Sequence, residues 1–411
     1  MLTALENGVK GGRWHCLIDK VFAPRTMRGA FAKVKANRGA AGVDHQTTAM
    51  FDRRLDENLN HLHESLRHGT YEPQRIRRKE IPKPGSREMR PLGIPTVRDR
   101  VVQGALRAVI EPIFEDGFAP HSYGFRPERG CKDALRRVDS LLKQGYVWVV
   151  DADLKSYFDT IPRDRLMQLI SGKISDGRIL RLIEAFLRQD VLETAKAWSP
   201  KLDEGRGTPQ GAVISPLLSN IYLDPLDYAV AEKGFEMVRY ADDFVVLCRT
   251  EQEAREALAV VQQWVTENGL MLHPEKTRIV KASEGNGFDF LGYRFKKGWK
   301  FPSPKSEKRL KDAIRVKTKR TNGRCLRATI NDVNRTTEGW FEYFKHSHRA
   351  TFNPLDRWIR KRLRSILRKR RKRRGPARGK DHQRWPNAFF TAQGLYCMLD
   401  AFDAARQSAR R

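Results

Sequence analysis

An α+β fold is predicted for this chain, and three features of the sequence predict it. Tyr146–Val150 is β-branched and aromatic, and reads as a buried strand that ends at Asp151–Ala152–Asp153. Val238–Arg239–Tyr240 and Phe244–Leu247 read as two short strands on either side of Ala241–Asp242–Asp243, which makes a hairpin. Thr250–Glu251–Gln252–Glu253 then has the form of a capping box, with Ala254, Leu258, Val261 and Val265 on one helical face and Gly269 as a C-terminal stop.

The remaining elements follow in chain order. The first thirty residues carry little signal. From about Phe31 to Arg67 the pattern is helical, interrupted at Asn37–Arg38–Gly39 and at Gly42–Val43–Asp44. From Pro82–Lys83–Pro84–Gly85 to Arg90–Pro91–Leu92–Gly93–Ile94–Pro95 the chain is rich in proline and base, which suits an extended hairpin and not a helix. After about Pro302 the strand signal fades and basic helices take over. No internal repeat or low-complexity linker interrupts the chain, and 411 residues suffice for two or three domains.

Charge narrows the function classes. The formal net charge is +30, from 79 Lys+Arg against 49 Asp+Glu. An excess of that size calls for a polyanionic partner, because each basic group laid on a phosphate releases condensed counterions. No apolar run approaches the length of a bilayer span and no signal peptide opens the chain, so nucleic acid is expected and membrane is not. The stretch Arg357–Lys380 holds fourteen Lys or Arg, seven of them consecutive from Arg368 to Arg374. Arg368, Lys369, Arg370 and Arg371 are therefore candidate nucleic-acid contacts. The five cysteines are dispersed and form no CxxC pair, which argues against a disulfide framework or a zinc module and suits a reducing cytoplasm. The pairs His61/His63 and His346/His348 lack the further ligands a zinc site requires.

The carboxylates point to a reaction class. Phosphoryl transfer needs divalent ions that bridge the attacking and leaving oxygens, and carboxylates to hold them. Magnesium prefers hard oxygen ligands and takes one or two carboxylates together with substrate phosphate. Asp151 and Asp153 end one strand and Asp242–Asp243 sit at a hairpin tip, so adjacent strands of one sheet could gather them inside a basic cleft. An isolated Asp pair in a turn is ordinary turn chemistry; the ordered company of this one is what carries the argument.

Those ordered motifs resemble the group II intron reverse transcriptase (maturase) family over roughly residues 37 to 345. Asn37–Gly39 with Gly42–Asp44 is similar to the motif that precedes the family's fingers. Ile81–Gly85 with Arg90–Pro95, and Ser122–Tyr123–Gly124–Phe125–Arg126–Pro127, resemble its fingers motifs. Asp153–Asp159, Gly207–Gly211 through Ile214–Tyr222, and Tyr240–Ala241–Asp242–Asp243 resemble its palm motifs. Pro274–Thr277 and Phe290–Leu291–Gly292–Tyr293 resemble the last two of these, and Gly339–Trp340–Phe341–Glu342–Tyr343–Phe344 the thumb motif of the maturase or X domain.

The resemblance implies a right-hand polymerase: fingers and palm of mixed sheet and helix, a helical thumb and a short basic tail. The divisions expected are 1–80 for the N-terminal extension and start of the fingers, 81–300 for fingers and palm, 301–374 for the thumb, and 375–411 for a DNA-binding segment. It implies Asp153, Asp242 and Asp243 as catalytic ligands of two Mg²⁺, with Asp151 the competitor of Asp153. Lys83 and Arg90 stand where the fingers grip the nucleotide triphosphate, with Arg87 the rival of Arg90. Tyr157 or Phe158 is expected as the steric gate against a ribonucleotide 2′-OH. Pro209, Gln210, Gly211 and Lys276 are expected at the nucleotide, Phe290–Tyr293 at the primer, Trp340 on nucleic acid, and Arg126 either on nucleic acid as a template contact or in the structure of the fingers. Trp385, Phe389 and Phe390 are stacking or packing aromatics of the tail. After Gly379 there is no room for the HNH endonuclease of larger members, so the chain looks like the compact, IIC-like class. The implied partners are intron RNA, RNA template with DNA primer, target DNA and dNTPs. The implied setting is the bacterial cytoplasm, with nucleoid association during integration. A splicing-only maturase and a reverse transcriptase repurposed outside introns are the competing readings.

Overall fold

The computed structural model describes residues 12–82, 89–192, 205–209, 211–321 and 323–408. The chain divides into two compact units, residues up to Val280 and residues from Lys281 onward.

The first unit opens with helices Ile18–Val21, Pro24–Ala36, Thr48–Arg53 and Leu55–His68, the last ended by Gly69 in the left-handed conformation (φ 73°). β1 (Ile76–Pro82) then pairs antiparallel with β2 (Met89–Ile94), in the register Arg77↔Ile94 to Pro82↔Met89. This is the expected hairpin; Lys83 and Arg87 fall outside the described residues. The helix Val97–Glu115 starts where Thr96 Oγ1 accepts the Asp99 N–H at 3.2 Å, and buries Val101, Val102, Ala105 and Leu106 completely. Its Arg100 donates to the Ala40 carbonyl at 2.7 Å, and a Cβ on Gly42 would lie 2.6 Å from Thr96 Cα. The Gly39–Asp44 motif is thus a loop laid against the start of that helix.

β3 (Trp148–Asp153), β5 (Glu236–Tyr240), β6 (Asp243–Cys248) and β7 (Arg278–Lys281) form a four-stranded sheet in the order β5-β6-β3-β7, while β4 (Val191–Leu192) joins β1 and β2. The helix Glu251–Glu267 follows β6 as the sequence suggests. Thr250 Oγ1 accepts the Glu253 N–H at 3.1 Å, Glu253 returns to the N–H of Arg249 at 2.9 Å, and Gly269 has φ 69°.

In the second unit β8 (Phe288–Phe290), β9 (Tyr293–Lys296) and β10 (Trp299–Pro302) form an antiparallel meander, followed by helices Pro304–Lys317, Leu326–Phe344 and Phe352–Arg370. One hydrophobic core continues through the expected 374/375 division: Phe390, Met398 and Phe402 pack with Ile314, Val333, Phe341 and Ile359. Asp356, 3% exposed, accepts the N–H groups of Met398 and Leu399 at 3.2 and 3.0 Å, which ties the helix Met398–Ser408 to Phe352–Arg370. Among the described residues no helix is long and apolar enough to cross a membrane.

Candidate active site

β3 and β6 are antiparallel neighbours in a register that sets Asp153 opposite Asp243, while Tyr240 of β5 pairs with the same Asp243. The hairpin therefore turns through Ala241–Asp242, and three acidic residues meet at one end of the sheet. Directly opposed residues of an antiparallel pair share a face, so Asp153 and Asp243 point to the same side. The expectation that neighbouring strands bring these carboxylates together is met at the level of register. Among the described residues no ready-made cluster of three or more His, Cys, Asp or Glu is closed around one point.

The two carboxylates of β3 differ in their partners. Asp153 is tied along its backbone to the segment before β7: His273 N–H donates to its carbonyl at 2.7 Å and Leu154 bridges Leu272. This course carries Lys276 to the site, where its Nζ donates to Asp153 Oδ2 at 2.6 Å. Asp151 accepts Nε and Nη2 of Arg278 at 3.1 and 3.0 Å. The Asp153 side chain is 37% exposed and that of Asp151 19%. An exposed lysine–carboxylate pair is worth no more than about 1 kcal/mol, so a divalent cation can displace Lys276. Hard oxygens at one sheet end, partly open, are of the kind that suits Mg²⁺, and of the two rivals Asp153 is the more exposed.

The expected nucleotide loop is built from backbone. Thr208 N–H donates to the Phe158 carbonyl at 2.7 Å, Gly207 N–H to that of Ile161 at 2.8 Å, and Ser215 Oγ to that of Pro209 at 2.9 Å. Gly211 has φ 101°, and a Cβ there would lie 2.3 Å from the Gly93 carbonyl oxygen of β2. Only glycine combines that φ with that approach. The loop thereby packs against the strand that carries Arg90, whose side chain is outside the described set, as is Gln210.

Several expected residues take other places. Tyr157 is 2% exposed and its hydroxyl donates to the Ser219 carbonyl at 2.8 Å; burial pushes its phenol well above the usual range. It belongs to the core, whereas its neighbour Phe158 is half-buried. Arg126, left open between template and finger structure, is 6% exposed, and bonds Glu115 Oε1 at 2.8 Å and the carbonyls of Ala119 and Ser122 at 2.7 and 3.0 Å, which favours the structural alternative. In the second unit Phe290 and Tyr293 are also core, at 1% and 2% exposure, and Tyr293 donates to the Tyr343 carbonyl at 2.5 Å. Of that motif only the Leu291–Gly292 turn reaches the surface. Arg368 is held from within the unit: its Nη1 pairs with the buried Asp381 at 2.7 Å and its Nε with the Arg374 carbonyl at 2.9 Å. Lys369, Arg370 and Arg371 stay exposed, Arg371 lying 5.8 Å over the Trp385 ring. Trp340 is half-buried against Phe344, and its Nε1 finds no partner among the described residues. Phe390 packs in the core, while Trp385 and Phe389 lie partly buried against it.

Sequence reasoning missed the support beneath the hairpin. Arg239, fully buried, holds Asp227 and Asn220 of the helix Ser215–Glu232. Burial alone would lower its pKa, but Asp227 outweighs that and holds the guanidinium above its usual range. The signal was available: an arginine that directly follows Met237–Val238 in a short apolar strand must find a buried partner. Gln103, also fully buried, accepts the Val213 N–H at 2.7 Å and so braces the loop after Gly211.

Residues 81–295 match the family described as reverse transcriptase (RNA-dependent DNA polymerase), and residues 307–385 match the group II intron, maturase-specific domain. Protein YkfC of Escherichia coli (strain K12) is 33% identical over 68% of this chain and 82% of its own. The group II intron-encoded protein LtrA of Lactococcus lactis subsp. cremoris is 40% identical over 52% of this chain and 36% of its own. A solved partial Cas6-RT-Cas1--Cas2 complex is 26% identical, with a TM-score of 0.39, over 61% of this chain and 41% of that one. The chain belongs to the reverse transcriptase (RNA-dependent DNA polymerase) family and carries a group II intron maturase-specific domain.

Proposed function

We propose that this protein copies intron RNA into DNA at the Asp153–Asp242–Asp243 end of its central sheet, and binds the same RNA to assist splicing and retrohoming. The observation that carries this reading is the β3–β6 register, which opposes Asp153 to Asp243 at the tip of the hairpin holding Asp242. Asp153 and Asp242, with Asp243 beside them, would hold two Mg²⁺; when bound, such ions neutralise charge on the attacking and leaving oxygens. The protein's own residues orient the substrates. Pro209, Gln210 and Gly211 cradle the incoming dNTP, Lys83 with Arg90 or Arg87 grips its triphosphate, and Phe158 blocks a 2′-OH. Lys276, which donates to Asp153, would be freed to meet phosphate if that carboxylate took up a metal ion. Leu291–Gly292 touches the primer strand. The maturase-specific region, with Lys369, Arg370 and Arg371 exposed, meets intron RNA and target DNA, its affinity falling steeply with salt. A bacterial cytoplasm, with the nucleoid as the place of integration, fits the bacterial relatives.

Primer extension on an RNA template with dNTPs and Mg²⁺ tests this. Long cDNA from wild type and none from Asp242→Ala is the expected result. No cDNA from either, with tight intron RNA binding retained, would replace the polymerase with a splicing-only maturase.

A further inference from the structure

Fully buried arginines are rare because removing a guanidinium from water is costly unless every donor is met. Arg239 is 0% exposed, and its donors are spent on three targets. Nε bonds both carboxylate oxygens of Asp227 at 2.8 and 2.9 Å, and Nη2 bonds the same group. Nη1 divides between Asn220 Oδ1 at 3.1 Å and the Ala241 carbonyl at 3.0 Å. The last contact reaches the metal-binding turn itself. Ala241 has φ 60°, a left-handed conformation that a residue with a Cβ adopts only under constraint.

The constraint comes from both sides. Asn220 and Asp227 lie seven residues apart on the helix Ser215–Glu232, two turns along one face. Asn220 spends its Nδ2 on the Gly124 carbonyl at 2.7 Å. Gly124 in turn lies against the turn so closely that a Cβ would sit 2.2 Å from the Ala241 nitrogen. The backbone of Arg239 completes the clamp, with its N–H on the His121 carbonyl at 3.0 Å and its own carbonyl on the Tyr123 N–H at 2.9 Å.

We propose that Arg239 is a positioning residue for catalysis: braced by Asp227 and Asn220, it fixes the Ala241 carbonyl, and thereby the direction in which Asp242 leaves the hairpin toward the metal ions. The inference rests on the polymerase reading of this site. Its effect is on how well the carboxylates take up a divalent ion, not on the affinity for nucleic acid.

The test compares wild type with Arg239→Lys, which keeps a charge for Asp227 but lacks the planar fork, and with Asn220→Ala, which keeps the Arg239–Asp227 pair. Three quantities are measured: Mn²⁺ binding by electron paramagnetic resonance, the Mg²⁺ concentration for half-maximal extension, and the Kd for template–primer. Mn²⁺ affinity weakened about tenfold and half-saturating Mg²⁺ raised about as much, with template–primer Kd within about twofold, are expected of both variants. Saturating Mg²⁺ should restore part of the rate. Unchanged Mn²⁺ binding and Mg²⁺ dependence, with only a lowered Tm, would make Arg239 a purely structural group and overturn the proposal. If Arg239→Lys does not fold, Asn220→Ala decides alone. If wild type makes no cDNA, the polymerase reading falls, and the Mn²⁺ titration still decides the positioning role.

Discussion

Replacing Gly211 with alanine should damage nucleotide use while sparing nucleic-acid binding. Two costs can be worked from the geometry. At φ 101° a Cβ is strained whatever its surroundings, at about 1–2 kcal/mol for a left-handed backbone. The new methyl would also stand 2.3 Å from the Gly93 oxygen, where ordinary contact begins near 3.4 Å. Loop or strand must therefore yield by about 1 Å, and a shift of that size at a reacting centre can cost about 100-fold. Single-nucleotide extension should show kcat/KM for dNTP lowered by about two orders of magnitude, with template–primer Kd unchanged. The strain should lower Tm by roughly 2–8 °C. A variant with wild-type kcat/KM would refute the reasoning, because it would mean that the Pro209–Gly211 loop does not seat the nucleotide.

Two other outcomes follow from side-chain placement. Phe158→Ala should raise ribonucleotide incorporation by at least about tenfold, whereas Tyr157→Phe, which only strips a hydroxyl from the Ser219 carbonyl, should lower stability and leave sugar selectivity alone. Equal selectivity in Phe158→Ala and wild type would remove the gate assignment. Asp176→Ala should cost about 2–4 kcal/mol, since this carboxylate caps the helix Gly177–Leu187 and accepts the N–H groups of Leu17 and Ile18 at 2.6 and 2.9 Å. Burial would raise its pKa, but the N–H groups of Ile18, Leu17, Ile179 and Arg178 outweigh that and hold it below the usual range. Its stabilisation is therefore complete above the unfolded value of ~3.9 and fades as pH falls through the lower folded value. The Tm gap between variant and wild type should narrow in acid; a gap that widens there would contradict the assignment.

The parts legible in the sequence were those that local rules decide. The acidic hairpin declares itself because apolar strands flank a polar turn, and the Thr250 cap because its partner Glu253 is three residues away. The parts that were not legible depend on distant partners. Tyr157 and Phe158 follow Ser156, whose φ of 49° breaks the alternation begun in β3, so no periodicity says which ring turns inward. The ion pairs of Arg126 and Arg368 were not legible because an arginine's sequence context does not reveal Glu115 or Asp381. The tail after Gly375 looked like a separate basic segment because its core residues, Phe390, Met398 and Phe402, are sparse among charges.

The central claim is that Asp153, not its neighbour two residues earlier, joins the hairpin carboxylates in copying RNA. Extension rates of Asp153→Asn and Asp151→Asn on one RNA template, with template–primer Kd measured beside them, test it most directly. A loss of about a thousandfold or more in Asp153→Asn, against less than about tenfold in Asp151→Asn and unchanged Kd in both, is the expected result. The reverse ranking, or full activity in both variants, would contradict the account.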